Sequence, residues 1–510
     1  MPSIIKTSVC IIGAGASGIT TARNLSEIDD LVMIESGSFE MDGKTQELYA
    51  GENKGTPYFD LLTCRLRYFG GTTNHWGGFC RANDPIDYEG RDDLGLPKWP
   101  VDQREIDRYV HKAANYLGVD SEFNAVEFLN NNKAPKDDLI ENKAPDLSTK
   151  VFDITSRKRF GKIHKEELSK QKNLRVYLNL NVVHIQLNAN ATKVISVHCE
   201  TFNGKKIVVQ SKEFVLSCHA IENARLLLIS NDIQQKGVGN DYDHVGRYFM
   251  EHVHLSASKF IPSNKFPRIY DTNVMGKFNL NANLGFKDEY LRRTGILQYY
   301  CRFKPVYTDD SVIGALRNIK NEINEPITAS LINDIKTVLN DASGAANFSL
   351  ARFGIDQPIP KYYELDHRIE QAPNRDSRVL LSSSRDFFGV PKADLQWKLN
   401  EFDYRTFDVG QEKIITELNA QGFGRFITEK MTAELINNRA KGHYHHIGTT
   451  KMSLNQRDGV VDSDCKVHGL DNLYIGGSSV FPTAGYSGPT MMIVAFSMRL
   501  ADKLAVKHRS

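Results

Sequence analysis

VCIIGAGASG, residues 9–18, decides the fold. Val9 to Ile12 is a short apolar, β-branched run of the kind buried in a parallel sheet. It breaks into Gly13-Ala14-Gly15-Ala16-Ser17-Gly18 before helical spacing takes over in ITTARNLSEI. The glycines have separate roles: Gly13 makes the tight turn, Gly15 lets backbone approach a pyrophosphate, and Gly18 lets helix and strand pack closely. The phosphates then sit on the helix N-terminus, beside Ala16 and Ser17. A second strand, LVMIE, ends in Glu35, twenty residues beyond Gly15, where a carboxylate can accept a hydrogen bond from a ribose 2′-OH. Strand, loop, helix, strand and acid in this order read as a dinucleotide site, and the motif alone does not separate FAD from NAD.

Further along, RLRYFGGTTNHWGGFCRANDPIDYE (residues 65–89) sets Thr72, Thr73, Asn74, His75 and Trp76 between the pairs Gly70-Gly71 and Gly77-Gly78. That pattern suits backbone lying against a flat ligand. Residues 103–117 read as an amphipathic helix, and residues 120–150, rich in Asn, Asp and Lys, as a surface excursion. From Arg175 the pattern turns to strands: RVYLNLNVVHIQL, KVISVHCETF, a hairpin turn at Asn203-Gly204, then KKIVVQ and EFVLSC as two further runs. The last leads into a helix, HAIENARLLLIS, so the chain returns to the parallel sheet after a β-meander.

Residues 261–436 alternate polar and aromatic segments such as GILQYYCRFKPVY. They include a helix-rich stretch over 312–339, strand-like RVLLSSS and ADLQWKL, and an amphipathic helix near 404–420. Near the other end, Leu473-Tyr474-Ile475 runs into a second glycine turn, Gly476-Gly477-Ser478, and Pro489 opens an apolar helix whose N-terminus suits an anionic ligand. The expected fold is α/β: a Rossmann-like domain with a parallel sheet and β-meander, built from residues 1–98, 172–260 and 437–510, plus a smaller domain with antiparallel sheet and helices from 99–171 and 261–436.

At 510 residues, two domains are the natural reading. Lys and Arg total 64 against 62 for Asp and Glu, with no basic run interleaved with aromatics, so nucleic acid is not an expected partner. The seven cysteines, Cys10, Cys64, Cys80, Cys199, Cys218, Cys301 and Cys465, are scattered without a C-x-x-C pair and suggest neither a disulfide framework nor a zinc site. No apolar run reaches the roughly 20 residues that span a bilayer, and the first ten residues leave no room for a secretory leader; the expected location is the cytoplasm.

GHYHHIGTTKM, residues 442–452, packs His443, His445 and His446 into four positions. Metal ligands, a catalytic base with neighbours, or polar loop residues would each fit, although a metal needs three or four convergent ligands and no supporting Cys, Asp or Glu spacing accompanies these three.

Taken together, GAGASG with Glu35, GGTTNHWGG, VLSCHAIENARLLLIS, VGRYFMEH, EQAPNRDSRVLL, HHIGTTKM, GVVDSDCKVHGLDNLYIGGSSVFPT and the last helix resemble the glucose-methanol-choline (GMC) oxidoreductases, which are FAD-dependent alcohol oxidases and dehydrogenases. The likeness spares residues 290–375. It implies FAD as cofactor, a small-molecule alcohol as substrate, closest to the sugar- and polyol-oxidising branches, and an acceptor that is oxygen or another molecule. It also implies that His445, first residue of an H-x-[VIM]-G-T pattern, takes the hydroxyl proton as hydride leaves for flavin N5, with His443 and His446 flanking it. Family members carry a second His or Asn just before the Pro-Thr of the closing helix, and Gly488 stands there. Tyr486, Ser487, a residue of the other domain or a water would then substitute. The alternatives are an FAD enzyme of altered chemistry (C–C or C–N dehydrogenation, or a lyase-like step) and a noncatalytic flavoprotein subunit. By the same resemblance, Gly71, Thr72, Asn74, Trp76 and Gly77 lie near the flavin. Val183, with Asn181 and Val182, meets adenine. Gly477, Ser478, Thr490 and Met491 approach the pyrophosphate and the flavin pyrimidine edge, and His75 sits in a T-x-H pattern that bonds covalently to flavin in several members.

Overall fold

The computed structural model describes residues 2–121, 125–131, 139–263, 266–276, 279–322, 328–353 and 360–509; part of the expected 120–150 excursion lies outside them. Its first sheet is built around Ser3–Ile12, where Val9, Cys10 and Ile11 are wholly buried. This strand pairs in parallel with Leu31–Ile34, which pairs in parallel with Leu174–Tyr177, and on its other side with Lys206–Leu216. Leu473–Ile475 adds a fifth parallel strand against Lys206–Leu216. The β-meander is Asn181–Leu187, Val194–Glu200 and the first half of Lys206–Leu216, all antiparallel.

KKIVVQ and EFVLSC, expected as two strands, are one. Gln210 and Ser211 pair with Lys6 and Thr7, so the polar residues between the apolar runs stay on the ladder. RVYLNLNVVHIQL, read as one run, is two strands, broken where Asn179 takes a left-handed φ of 56°.

A second sheet, antiparallel throughout, runs in the order Gly424–Ile427, His252–Pro262, Tyr362–Glu370, Tyr299–Val306, Leu280–Phe286, Leu147–Ile154, Phe79–Cys80. The surface reading of residues 120–150 therefore gives way at Leu147–Ile154, whose Leu147 and Val151 are fully buried between neighbouring strands. A third, small sheet joins Asn53–Gly55, Arg378–Arg385 and Pro391–Trp397, and was not legible as a unit because its first strand is three exposed polar residues. Helix Gln103–Leu117 forms as its spacing predicts, capped by Asp102 and ended by Gly118 at φ 68°. It packs on the closing helix Thr490–Arg509, where the Tyr109 hydroxyl donates to Asp502 at 3.0 Å.

The helix-rich stretch resolves into Asp310–Glu322, Ala329–Asn340 and Ala342–Phe353. The fold is thus α/β, a parallel-sheet layer with a β-meander beside an antiparallel sheet. The His252–Pro262 strand carries the chain from one to the other and brings the second sheet to the edge of the cavity described next.

Candidate active site

Two of the three N-terminal glycines, Gly13 and Gly18, make the close approaches that their spacing predicts. Gly13 has φ 99°, and a Cβ there would meet the Ser217 carbonyl oxygen at 2.4 Å; one at Gly18 would meet the Gly13 carbonyl oxygen at 1.9 Å. At Gly15 a Cβ would meet nothing within 4 Å, because that face opens on a cavity of about 670 Å3. The helix Ala16–Arg23 has no side-chain cap at Gly15, so its first N–H groups are left for a ligand. Beneath the loop Ser17 is held by Ser217 at 3.2 Å and Ser497 at 2.9 Å, tying the first helix to the last.

Glu35 lines the cavity, but its carboxylate also closes the loop: Oε2 accepts from Ala14 N at 2.8 Å and Oε1 from Gly37 N at 2.9 Å. Its remaining lone pairs are free to accept from a ligand in the cavity. The glycine-paired loop is stitched onto the first one, with Gly70 N donating to Ala14 O at 2.8 Å and a Gly71 Cβ position 3.4 Å from Gly15 Cα. Thr72, His75, Trp76 and Gly77 line the cavity, with His75 Nε2 3.1 Å from the Tyr68 hydroxyl. On the far side Gly477, Ser478 and Thr490 line it too; Gly477, at φ 101°, again offers a bare face.

Several expected contacts fall elsewhere. Asn74 is buried and spent on structure, accepting from Gly161 N and donating to Phe69 O, and it is not part of the lining. Val182 lines the cavity rather than Val183, next to a β-bulge in that strand. Met491 is wholly buried on the core side of the closing helix. Tyr486 and Ser487 do not replace the side chain missing at Gly488. The Tyr486 hydroxyl is bound to Arg81 and Asp84, and Ser487 Oγ faces Asn83, so neither residue lines the cavity.

The three close-spaced histidines go to three different partners. All depend on Glu251, a buried carboxylate that accepts from the backbone N–H of His443 and His445 at 3.0 Å each and so fixes the loop. Gly442 allows this approach, since a Cβ there would stand 2.5 Å from the Tyr58 ring. Burial pushes the Glu251 carboxyl up to about 7, against the pull of the Tyr58 hydroxyl and those N–H groups.

His446 belongs to a buried chain in which every donor is determined. The Tyr58 hydroxyl donates to Glu251, so Tyr58 accepts from His446 Nε2 at 2.6 Å; His446 Nδ1 then accepts from His219 Nε2 at 2.7 Å, and His219 Nδ1 accepts from Ile221 N at 3.4 Å. His443 Nε2 accepts from Arg368 at 3.0 Å. Among the described residues no group of three His, Cys, Asp or Glu converges on a metal position.

His445 is set by His252. His252 Nε2 lies 3.0 Å from the Ala484 carbonyl, which can only accept, so the proton is on Nε2 and Nδ1 is bare. His445 Nδ1, 2.6 Å from that bare nitrogen, must donate. A neutral His445 therefore presents an unprotonated Nε2, and that atom stands 3.6 Å from the Cβ position of Gly488, in the cavity wall. Burial, then the fields of His443, His252 and Arg368, hold the His445 imidazole well below its ordinary 6.5, so it rests neutral. For the same first reason, burial, His252 falls to about 4 and His219 to about 3.

Polar groups that the motifs did not point to complete the walls. Arg65, Arg67 and Arg225 all reach Glu222 at 3.2 Å. Burial opposes ionisation of Glu222, yet the three guanidiniums hold it down to about 2. Beyond His445 the second sheet contributes Asn281, Tyr300, Arg302 and Arg368.

One continuous cavity thus joins a glycine cradle, two helix N-termini and the Glu35 carboxylate to the His445 imidazole, an arrangement that suits a flavin nucleotide on a Rossmann-type fold. Two GMC oxidoreductase family models match the chain, over residues 162–254 and 373–497, and the chain resembles that family at both places. FAD is its cofactor, and the bare faces of Gly15 and Gly477 with the uncapped helix start fit that group.

Among curated proteins the chain is similar to the fructose dehydrogenase large subunit of Gluconobacter japonicus (22% identity, 58% of this chain and 47% of that one). It is also similar to the paromamine 6'-oxidase of Streptomyces fradiae (25%, 58% and 46%). It thus spans about half the length of the curated relatives it matches. Among solved structures, pyridoxine 4-oxidase from Mesorbium loti superposes over 99% of both chains with a TM-score of 0.59 at 15% identity, which shows the fold.

Proposed function

We propose that the protein oxidises the CH–OH group of a small sugar- or polyol-like alcohol, with His445 as the base. The observation that carries this reading is the bare Nε2 of His445, left unprotonated by the His252 and Ala484 contacts and facing the space beside Gly488 in the cavity that holds the cofactor cradle. FAD held by the Gly15 and Gly477 faces and the start of the Ala16–Arg23 helix would supply a two-electron acceptor for the carbinol hydride. The hydroxyl proton passes to His445 Nε2, and the carbon–oxygen bond becomes a carbonyl. A neutral imidazole that has already given up its other nitrogen to a fixed partner is oriented and loses little freedom as it accepts that proton.

Gly488 leaves open the place that a second side chain would fill, so the substrate oxygen meets His445 with room for a bulky neighbour or a water. The similarity to sugar-oxidising proteins supports the substrate class. Arg65, Arg67 and Glu222 stiffen the wall behind the cradle, and the Thr490–Arg509 helix directs its positive end at the cavity, which favours negative charge gathering there.

The test is anaerobic stopped-flow bleaching of the flavin by a panel of sugars and polyols, in the wild type and in His445→Ala. Fast bleaching lost in the variant is expected; bleaching that survives it removes His445 from the role. Acid precipitation of the same protein examines His75, whose Nε2 is engaged by the Tyr68 hydroxyl. We expect the flavin in the supernatant, and yellow colour retained in the pellet would show a covalent bond.

A further inference from the structure

Among the described residues, one cation in the substrate half of the cavity, Arg302, has no carboxylate in direct ion-pair contact, and the carboxylate field that favours its charge comes from Asp366 on the neighbouring strand. Alternate residues of a strand point to one face, and in Tyr299–Val306 that face carries Tyr300, Arg302 and Lys304, of which Tyr300 and Arg302 line the cavity. The neighbouring strand Tyr362–Glu370 sets Arg368 across from Tyr300 and Asp366 across from Arg302. Asp366 is already shared: Arg368 reaches it at 2.9 Å, His254 at 3.3 Å and Lys304 at 3.4 Å. Among the described residues no carboxylate lies within ion-pair distance of Arg302, and its Nε is buried with no hydrogen-bond partner. Its guanidinium carbon is 5.9 Å from the Phe79 ring. The Phe79 carbonyl oxygen is 3.7 Å from the Cβ position of Gly488, itself 3.6 Å from His445 Nε2, so Phe79 has its ring beside Arg302 and its backbone beside Gly488, all in one cavity lining.

An enclosed guanidinium without a partner is costly, and arginine cannot escape by losing its proton. Burial, then the field of Arg368, already disfavours the charge on Arg302. Neutral hydroxyls would accept its hydrogen bonds but leave the charge uncompensated. A planar carboxylate matches the fork and cancels the charge. Among the described residues the carboxamide of Asn281, in the same lining, has no hydrogen-bond partner, and it offers a donor and an acceptor to neighbouring hydroxyls.

We propose that the natural substrate is a hydroxy acid, a sugar acid or similar polyhydroxylated carboxylate, whose carboxylate docks on Arg302 beside Arg368 while one of its hydroxyls meets His445. This rests on the alcohol-oxidising reading above and narrows its substrate from neutral sugars to acids.

The experiment compares matched pairs on the intact flavoprotein: gluconate and glucuronate against glucose, glycerate against glycerol, quinate against a neutral cyclitol, with glucose 6-phosphate as the phosphoryl arm. Flavin bleaching is measured in the wild type, Arg302→Met and Arg302→Lys, each checked for flavin content. At least one acid is expected to exceed its neutral partner by about 30-fold in kcat/KM, with Arg302→Met removing that advantage through KM and Arg302→Lys restoring part of it. A panel in which no acid outperforms its partner, or in which Arg302→Met affects both alike, overturns the proposal, and so does a clear preference for the phosphate.

If nothing bleaches the flavin, the alcohol-oxidising reading fails by itself. Calorimetric titration of the wild type with cyclohexanecarboxylate and with cyclohexanecarboxamide then decides the anion site without relying on any variant. Binding of the acid alone supports it, and equal or absent binding overturns it.

Discussion

The ring nitrogens of His252 and His445 meet Nδ1 to Nδ1 at 2.6 Å, although the residues are 193 positions apart. The contact makes His252 the part that chooses which nitrogen of His445 is bare. Replacing His252 with Phe leaves His445 free to take the other tautomer, and we expect kcat to fall by about 100-fold or more with KM little changed. His252→Asn keeps an acceptor oxygen near the same place and should recover part of the loss, which a purely structural role for His252 would not give.

The depressed basicity of His445 fixes the sign of a pH effect. The rate needs the unprotonated ring, and burial with three positive or polar neighbours moves proton uptake to well below 6.5. Protonation of His445 is therefore expected to lower the rate of flavin reduction only well below pH 6.5, while a step near pH 7 belongs to Glu251, whose carboxylate holds the loop. A loss centred at or above 6.5 that persists in Glu251→Gln would contradict the buried, neutral imidazole.

Gly488 is tolerant in shape and sensitive in function. A Cβ added there makes only ordinary contacts, 3.5 Å to His445 Cε1 and 3.7 Å to the Phe79 carbonyl oxygen. Gly488→Ala should hold its stability within about 1 kcal/mol, while kcat/KM drops by about tenfold because the methyl stands where the hydroxyl approaches His445 Nε2. Thermal unfolding and steady-state kinetics on one preparation separate the two effects.

Gly15 and Gly18 divide the cofactor loop the other way. At Gly18 a methyl would press on the Gly13 carbonyl at 1.9 Å, so Gly18→Ala should lose about 3 kcal/mol of stability. At Gly15 a methyl meets no protein atom and enters the cavity, so Gly15→Ala should fold, at a cost of at most about 1 kcal/mol as a helix cap, and bind FAD at least about tenfold more weakly. Denaturant unfolding of the apoprotein and fluorescence titration with FAD check the pair.

Local rules made the nucleotide-binding half legible. The VCIIGAGASG segment announces its turn by the spacing of its own glycines, although Glu35 and Ser217 help to hold it, and Gln103–Leu117 and Thr490–Arg509 announce themselves by spacing and by Asp102 or Pro489 at their starts. The chemistry beyond the first histidine was not readable in this way. His252, Glu251, Tyr58 and His219 acquire their roles through contacts between residues about 190 to 390 positions apart, with no periodicity to mark them. Tyr486 and Ser487 were misplaced because sequence adjacency to Gly488 says nothing about which side of the backbone a side chain takes; Arg81 and Asp84 claim the Tyr486 hydroxyl. Arg302 sits in the stretch with least family likeness, and only the strand register shows that the Asp366 carboxylate across from it is already shared by Arg368, His254 and Lys304.

The hydroxyl contact between Ser497 and Ser17 spans 480 residues and underlies the phosphate-binding turn. It gives assembly an order in time. The nucleotide loop leaves the ribosome well before its floor, which arrives only when the helix beginning at Thr490 has emerged and docked. FAD capture is therefore expected to follow synthesis of that helix, and a nascent chain halted before it should stay colourless however well its first strands have paired.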